Sequence, residues 1–253
     1  MQEIIKDLAK KSSARGKKIN LEEEFNKLDE LEINKELERR ERKNQEEVNK
    51  AIEIKKLKEQ EKILKYIPNQ YKGLSMNWLK DNYKGVEFQR ALGECVRAVQ
   101  NIDKLKKGLY IYGDTGIGKT SLLSTMAQAL YMHKNKTISY MTEDDFINKI
   151  KQTYNKGATK TEMEVIQDIA KNEVVFIDEW GQNESQWAIK YLKILLDEIE
   201  SKKHHVFITS NYDYMELANK YIKANPEDKK ATQLLDRLSG STELLEIKDK
   251  SHR

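Results

Sequence analysis

Positions 113–120 read Gly-Asp-Thr-Gly-Ile-Gly-Lys-Thr, so that glycines recur ahead of a lysine and a hydroxyl residue. That order of residue types suits the binding of phosphate groups. Glycines let the backbone curl until its N–H groups face phosphate oxygens, the Lys119 ammonium adds a point charge near the β and γ phosphates, and the Thr120 hydroxyl is a ligand for Mg²⁺. The required residue types fall at this spacing in a chain of this length roughly once in a hundred sequences by chance. Context narrows the reading further, because the apolar run Leu-Tyr-Ile-Tyr precedes the loop and a helical pattern follows it. Gly113, Asp114, Thr115, Gly116, Ile117, Gly118, Lys119, Thr120 and the adjoining Ser121 are therefore expected to hold ATP with its Mg²⁺.

Two more clusters stand downstream. At 174–179 the chain reads Val-Val-Phe-Ile-Asp-Glu, an apolar run that ends in two carboxylates. Acidic residues are common after strands, but these follow a phosphate loop with one strand and helix unit between. In that position Asp178 is expected to hold Mg²⁺, and Glu179 to act as the base that orients and polarises the attacking water. At 206–211 the run Val-Phe-Ile-Thr-Ser-Asn again ends in polar groups. Asn211 could cap the next helix. With the other two clusters present, contact with the γ phosphate or the attacking water is the preferred reading.

These groups meet only if their strands end at one edge. Short apolar runs at 109–112, 137–141, 174–178, 206–210 and 244–247 alternate with helical patterns at 120–133, 143–156, 186–201 and 213–222. Such alternation implies an α/β fold, a five-stranded parallel sheet with helices on both faces.

Ahead of this region lies a different composition. Charged residues are 35% of the whole chain but occupy 34 of the first 65 positions, too polar a stretch to bury a core alone. Asn20 and Glu23 form a capping pair, Leu21, Phe25, Leu28, Leu31, Ile33 and Leu37 follow at roughly helical spacing, and 38–47 holds no apolar residue. Val48, Ile52, Ile54, Leu57, Ile63 and Leu64 resume an apolar pattern, and Ile67-Pro68 interrupts it. The expected division is a helical arm over 1–65 and a globular domain over 66–253. The arm has two readings: a solvated charged helix, or a partner-binding segment that completes its core against another protein.

A net charge of +4 names no partner. One cysteine and four histidines exclude a disulfide framework and a cysteine zinc module, and Cys95 lies in an amphipathic stretch that suits a buried thiol. No run approaches 18 uncharged apolar residues and the first residues lack the apolar core of a signal peptide, so a cytoplasmic protein with no membrane partner is expected.

From about Ile67 to Arg253 the chain resembles the AAA+ ATPases of bacterial replicative helicase loaders, the DnaC/DnaI type, and their IstB-like relatives in transposition. The resemblance rests on Ile67-Pro68 with Tyr71, on 108–120, on Phe-Ile-Asp-Glu-Trp-Gly from Phe176, on Ile-Thr-Ser-Asn from Ile208 and on Leu-Leu-Asp-Arg-Leu from Leu234. It implies that Arg237 is an arginine finger reaching a neighbour's nucleotide, hence a homo-oligomer. The alternative for Asp236 and Arg237 is a plain surface pair on a helix. It also implies that Arg253, in a terminal Ser-His-Arg similar to the family's Ser-Tyr-Arg, is a second sensor of the phosphates. The block 144–171, with Lys149, Lys151 and Lys156, resembles an insertion that contacts single-stranded DNA or an initiator, although lysines there are also ordinary solvated residues. By the same likeness, residues around 21–37 dock a replicative DNA helicase. The rival expectations are an IstB-like ATPase that serves a transposase, and a nucleotide-dependent scaffold with little turnover.

Overall fold

The computed structural model of the protein describes residues 34–35, 37–52, 54, 66–224 and 229–249. The Asn20 cap, the docking positions 21–33 and Arg253 lie outside them. By its contacts the chain divides into two units, Met1–Glu59 and Gln60–Arg253. In the first, residues 37–52 are helical and exposed.

The second unit opens with α1 (Met76–Asn82) and α2 (Val86–Gln100) and then alternates strands with helices. β1 (Gly108–Gly113), α3 (Lys119–Lys134), β2 (Ile138–Thr142), α4 (Glu143–Gln152), α5 (Glu162–Ala170) and β3 (Val174–Trp180) come first. α6 (Gln186–Ser201), β4 (His205–Ser210), α7 (Tyr214–Ala224), α8 (Lys229–Ser241) and β5 (Thr242–Ile247) complete it. All pairings are parallel, in the order β2-β3-β4-β1-β5, as the alternation of runs implied.

Helices on both faces explain the continuous apolar runs, since a parallel strand has no side open to water. Side chains of β3 alternate accordingly: Val175 and Ile177 join a core with Phe146, Leu192, Leu196 and Leu234, whereas Val174 and Phe176 join one with Phe88, Leu122 and Met126. Phe176 stacks on Phe207 of β4 at 5.3 Å between centroids. Cys95 is buried in the second core, and burial pushes its thiol far up, which makes it a packing residue.

Helix starts are set by local chemistry. Thr142 and Thr161 each close a capping box, with Asp145 and Glu164, and Ser185 caps α6. The expected helix over 143–156 stops at Gln152, because the chain turns through Gly157 at φ +90° before α5 begins. The block 144–171 is thus two helices.

Candidate nucleotide site

β1, β3 and β4 end at one edge of the sheet, and the phosphate loop leaves β1 there to enter α3. The loop's glycines are required by its shape. Gly113 (φ +146°) has no room for a Cβ, which would stand 2.3 Å from the Ile247 carbonyl oxygen. Gly118 (φ +98°) is the N-cap of α3, and a Cβ on it would meet Phe88 at 2.7 Å and Tyr83 at 2.9 Å. The cradle is therefore shaped by backbone, and the positive end of α3 points into it. Gly118→Ala should strain the backbone by on the order of 1–3 kcal/mol. The expected result is a lower melting temperature and an ATP affinity reduced about tenfold, read by thermal unfolding and nucleotide titration.

Lys119 ties this loop to β4. Its ammonium donates to the carbonyls of Gly113 (2.7 Å) and Asp114 (2.8 Å) and to the side-chain oxygen of Asn211 (2.9 Å). Asn211 thus stands at the phosphate loop, as its place after β4 implied. The Thr120 hydroxyl donates to Asp178 Oδ1 at 3.2 Å, which brings the two expected Mg²⁺ ligands together.

Asp178 is buried and held on several sides. Tyr140 (3.1 Å) and Thr209 donate their hydroxyls to it, and the Glu179 N–H donates at 3.1 Å. Burial raises its carboxyl above the usual value, while the bonds from Thr209, Tyr140 and Thr120 pull the other way. Tyr140 is pushed well above the phenol range by burial and the Asp178 charge, so it stays a donor. Among the described residues no three His, Cys, Asp or Glu form a metal cage. The pair Thr120 and Asp178 instead fits Mg²⁺, which takes hard oxygen ligands and is usually held by one or two carboxylates together with substrate phosphates.

Glu179 has the unusual backbone. It sits at φ +58°, where the pairing of β3 with β4 slips between Ile177 and Trp180, and its side chain is exposed between buried Asp178 and Trp180. A left-handed glutamate at a bulge persists only where its surroundings over-determine it. They do so here: its N–H bonds Thr209 Oγ1 at 3.0 Å, and the Ser210 hydroxyl holds the Trp180 carbonyl at 2.7 Å. The bulge turns the Glu179 side chain out of the strand's alternation. Lys119, Thr120, Asp178, Glu179, Thr209 and Asn211 line one pocket of about 140 Å³.

Tyr140 and Thr209 carry no prediction from sequence. Thr209 lay within the polar end of β4, two positions before Asn211, and Tyr140 on a strand whose neighbour was not readable. Arg237 stands elsewhere, on α8, with its Nε 2.7 Å from Asp197 and Nη1 3.6 Å from Glu200. Lys149 lies over the Tyr66 ring at 5.1 Å and Lys151 over Trp187 at 5.9 Å. Among the described residues no helix is long and apolar enough to cross a membrane.

Comparisons with known proteins agree with this geometry. The family model described as IstB-like ATP binding protein matches residues 3–253. The replicative helicase loader DnaC of Buchnera aphidicola subsp. Acyrthosiphon pisum (strain APS) is 28% identical over 145 residues, 56% of this chain and 58% of its own length. The chain thus spans less than two thirds of that relative. Of solved structures, the DnaC helicase loader superimposes with a TM-score of 0.59 at 21% identity, over 72% of this chain and 100% of that one. AMPPCP-bound DnaA from Aquifex aeolicus gives 0.57 at 18% identity, over 74% and 53%. At those identities the likeness is one of fold, and it bears out the expected parallel sheet flanked by helices around a phosphate loop. By the family match over nearly its whole length, the chain belongs to the IstB-like ATP-binding protein family.

Proposed function

We propose that the chain is a Mg²⁺-dependent ATPase of the helicase-loader kind, whose residues 1–65 grip a replicative helicase and whose domain over 66–253 self-assembles on ATP. The observation that carries the catalytic part is the convergence of Lys119, Thr120, Asp178, Glu179 and Asn211 on one pocket. In this reading the loop N–H groups and Lys119 bind the triphosphate, and Thr120 and Asp178 hold Mg²⁺, which neutralises charge on the phosphate oxygens. Glu179 takes a proton from the attacking water, and Asn211 orients that water or the γ phosphate. Arg237 serves the site of a neighbouring subunit, so an isolated monomer turns over slowly.

The loader reading draws support from the DnaC relative and the DnaC fold. ATP-driven assembly would hold the helicase while it is placed on single-stranded DNA in the cytoplasm, and hydrolysis would release it. Coupling of this kind needs ATP to bind the assembled state more tightly than the free subunit. A second reading, an ATPase that serves a transposase, is favoured by the family description itself. Light scattering of the full chain with a hexameric replicative helicase, ATP and Mg²⁺ separates them. The expected result is a complex larger than the helicase alone that is lost on deleting residues 1–65. Absence of any complex would contradict the loader role.

A further inference from the structure

Glu143, the first residue of α4, is a fully buried carboxylate that the hydrolysis scheme does not use. Its position explains why burial is tolerated. Oε2 accepts the Gly181 N–H at 2.6 Å and Oε1 accepts the Asn183 N–H at 2.8 Å, with the Gln182 N–H also directed at it. These three residues are the turn immediately after β3, so a side chain from α4 holds the backbone beginning two positions beyond Glu179. Lys220 grips the same turn from α7, donating to the Gly181 carbonyl at 2.6 Å. On the other flank Asp178, Thr209 and Ser210 fix Glu179 and Trp180. The strained φ of Glu179 therefore lies between two sets of clamps, and Glu143 anchors the outer one.

We propose that Glu143 is a positioning residue for Glu179: by fixing the turn at Gly181 and Asn183, it fixes where the Glu179 carboxylate lies relative to the attacking water. This rests on the reading of Glu179 as the base. Ionised Glu143 satisfies all three N–H groups, whereas the protonated acid offers one oxygen as an O–H and leaves a donor without an acceptor. Burial raises Glu143 to about 7, against the pull of the Gly181 and Asn183 N–H groups. The titratable groups that interact with it are Asp144 on its own helix, Tyr110 of β1 and Tyr221 of α7, while Lys220 of α7 bonds the Gly181 carbonyl of the same turn and Glu184 beyond the turn acts on Tyr221. Both tyrosines are pushed upward by burial and stay neutral below pH 9. A carboxyl titrating near 7 is mostly ionised at pH 8 and mostly neutral at pH 6, so positioning weakens as pH falls.

The test measures kcat, KM and the Kd of a fluorescent ATP analogue for the full chain, for Glu143→Gln and for Glu179→Gln, between pH 6 and 8.5. For the native chain, kcat is expected to fall about tenfold from pH 8 to 6 with Kd unchanged. Glu143→Gln should retain Kd, lose on the order of 10- to 100-fold in kcat at pH 8 and show no fall toward pH 6, since a small misplacement of a catalytic group costs up to about that much. Native kcat that is flat from pH 6 to 8 overturns the proposal even if the variant fails to fold. A Glu143→Gln protein with native kcat, beside an inactive Glu179→Gln, also overturns it. An active Glu179→Gln instead overturns the underlying assignment of the base.

Discussion

Glu179→Gln is expected to lower ATP turnover by on the order of 10²- to 10⁴-fold, the usual contribution of a positioned general base, while leaving ATP affinity nearly unchanged. The separation follows from who touches what. In the proposed scheme the triphosphate is held by the N–H groups of 113–120 and by Lys119, none of which the substitution alters. Glutamine matches glutamate in volume and in its tolerance of φ +58°, so the bulge and its bonds to Thr209 and Asp178 survive. What disappears is the ability to accept a proton from water. Phosphate release in steady state, with nucleotide titration alongside, checks both halves. Loss of binding together with turnover would place Glu179 in the cradle and not at the water.

The phosphate loop was legible because its requirements are local: glycine at positive φ, then lysine and threonine at a helix start. Asp178 and Asn211 were legible because an apolar parallel strand that ends in polar residues delivers them to the ligand-binding edge whatever the strand order. Features that depend on which strands are neighbours were not. Tyr140 and Thr209 reach Asp178 because β3 lies between β2 and β4, an order no local pattern encodes. The left-handed Glu179 comes from a register slip against β4. Glu143 reads in sequence as an ordinary acid in a first helical turn, and only the fold turns it inward. The helical pattern read over 143–156 ends early, at Gln152, because the chain turns through Gly157 at positive φ.

Arg237→Ala is expected to cost on the order of 10³- to 10⁵-fold in turnover by the assembled protein, the range for an arginine finger. Within its own chain the effect should be slight. Arg237 is 43% exposed and pairs with Asp197 and Glu200, at 35% and 52%, and exposed pairs of that kind contribute about 0–1 kcal/mol. Leu234 and Leu238, which bury α8 in the core shared with α6, are untouched. A melting temperature close to native combined with severe loss of turnover would therefore show that the guanidinium acts outside its own fold. A turnover near native would leave the pairs with Asp197 and Glu200 as its whole role.

In the proposed assembly each active site is completed by a second subunit. Lys119→Ala removes the ammonium proposed to bind phosphate and Arg237→Ala the proposed arginine finger, so each variant alone should be nearly inactive. Mixed in equal amounts, an Arg237→Ala subunit contributes an intact phosphate loop to a Lys119→Ala neighbour that still carries Arg237. ATP turnover of that mixture should rise well above the sum of the two separate proteins. A mixture no more active than that sum, at concentrations where the native chain turns over ATP, would contradict a site shared between subunits.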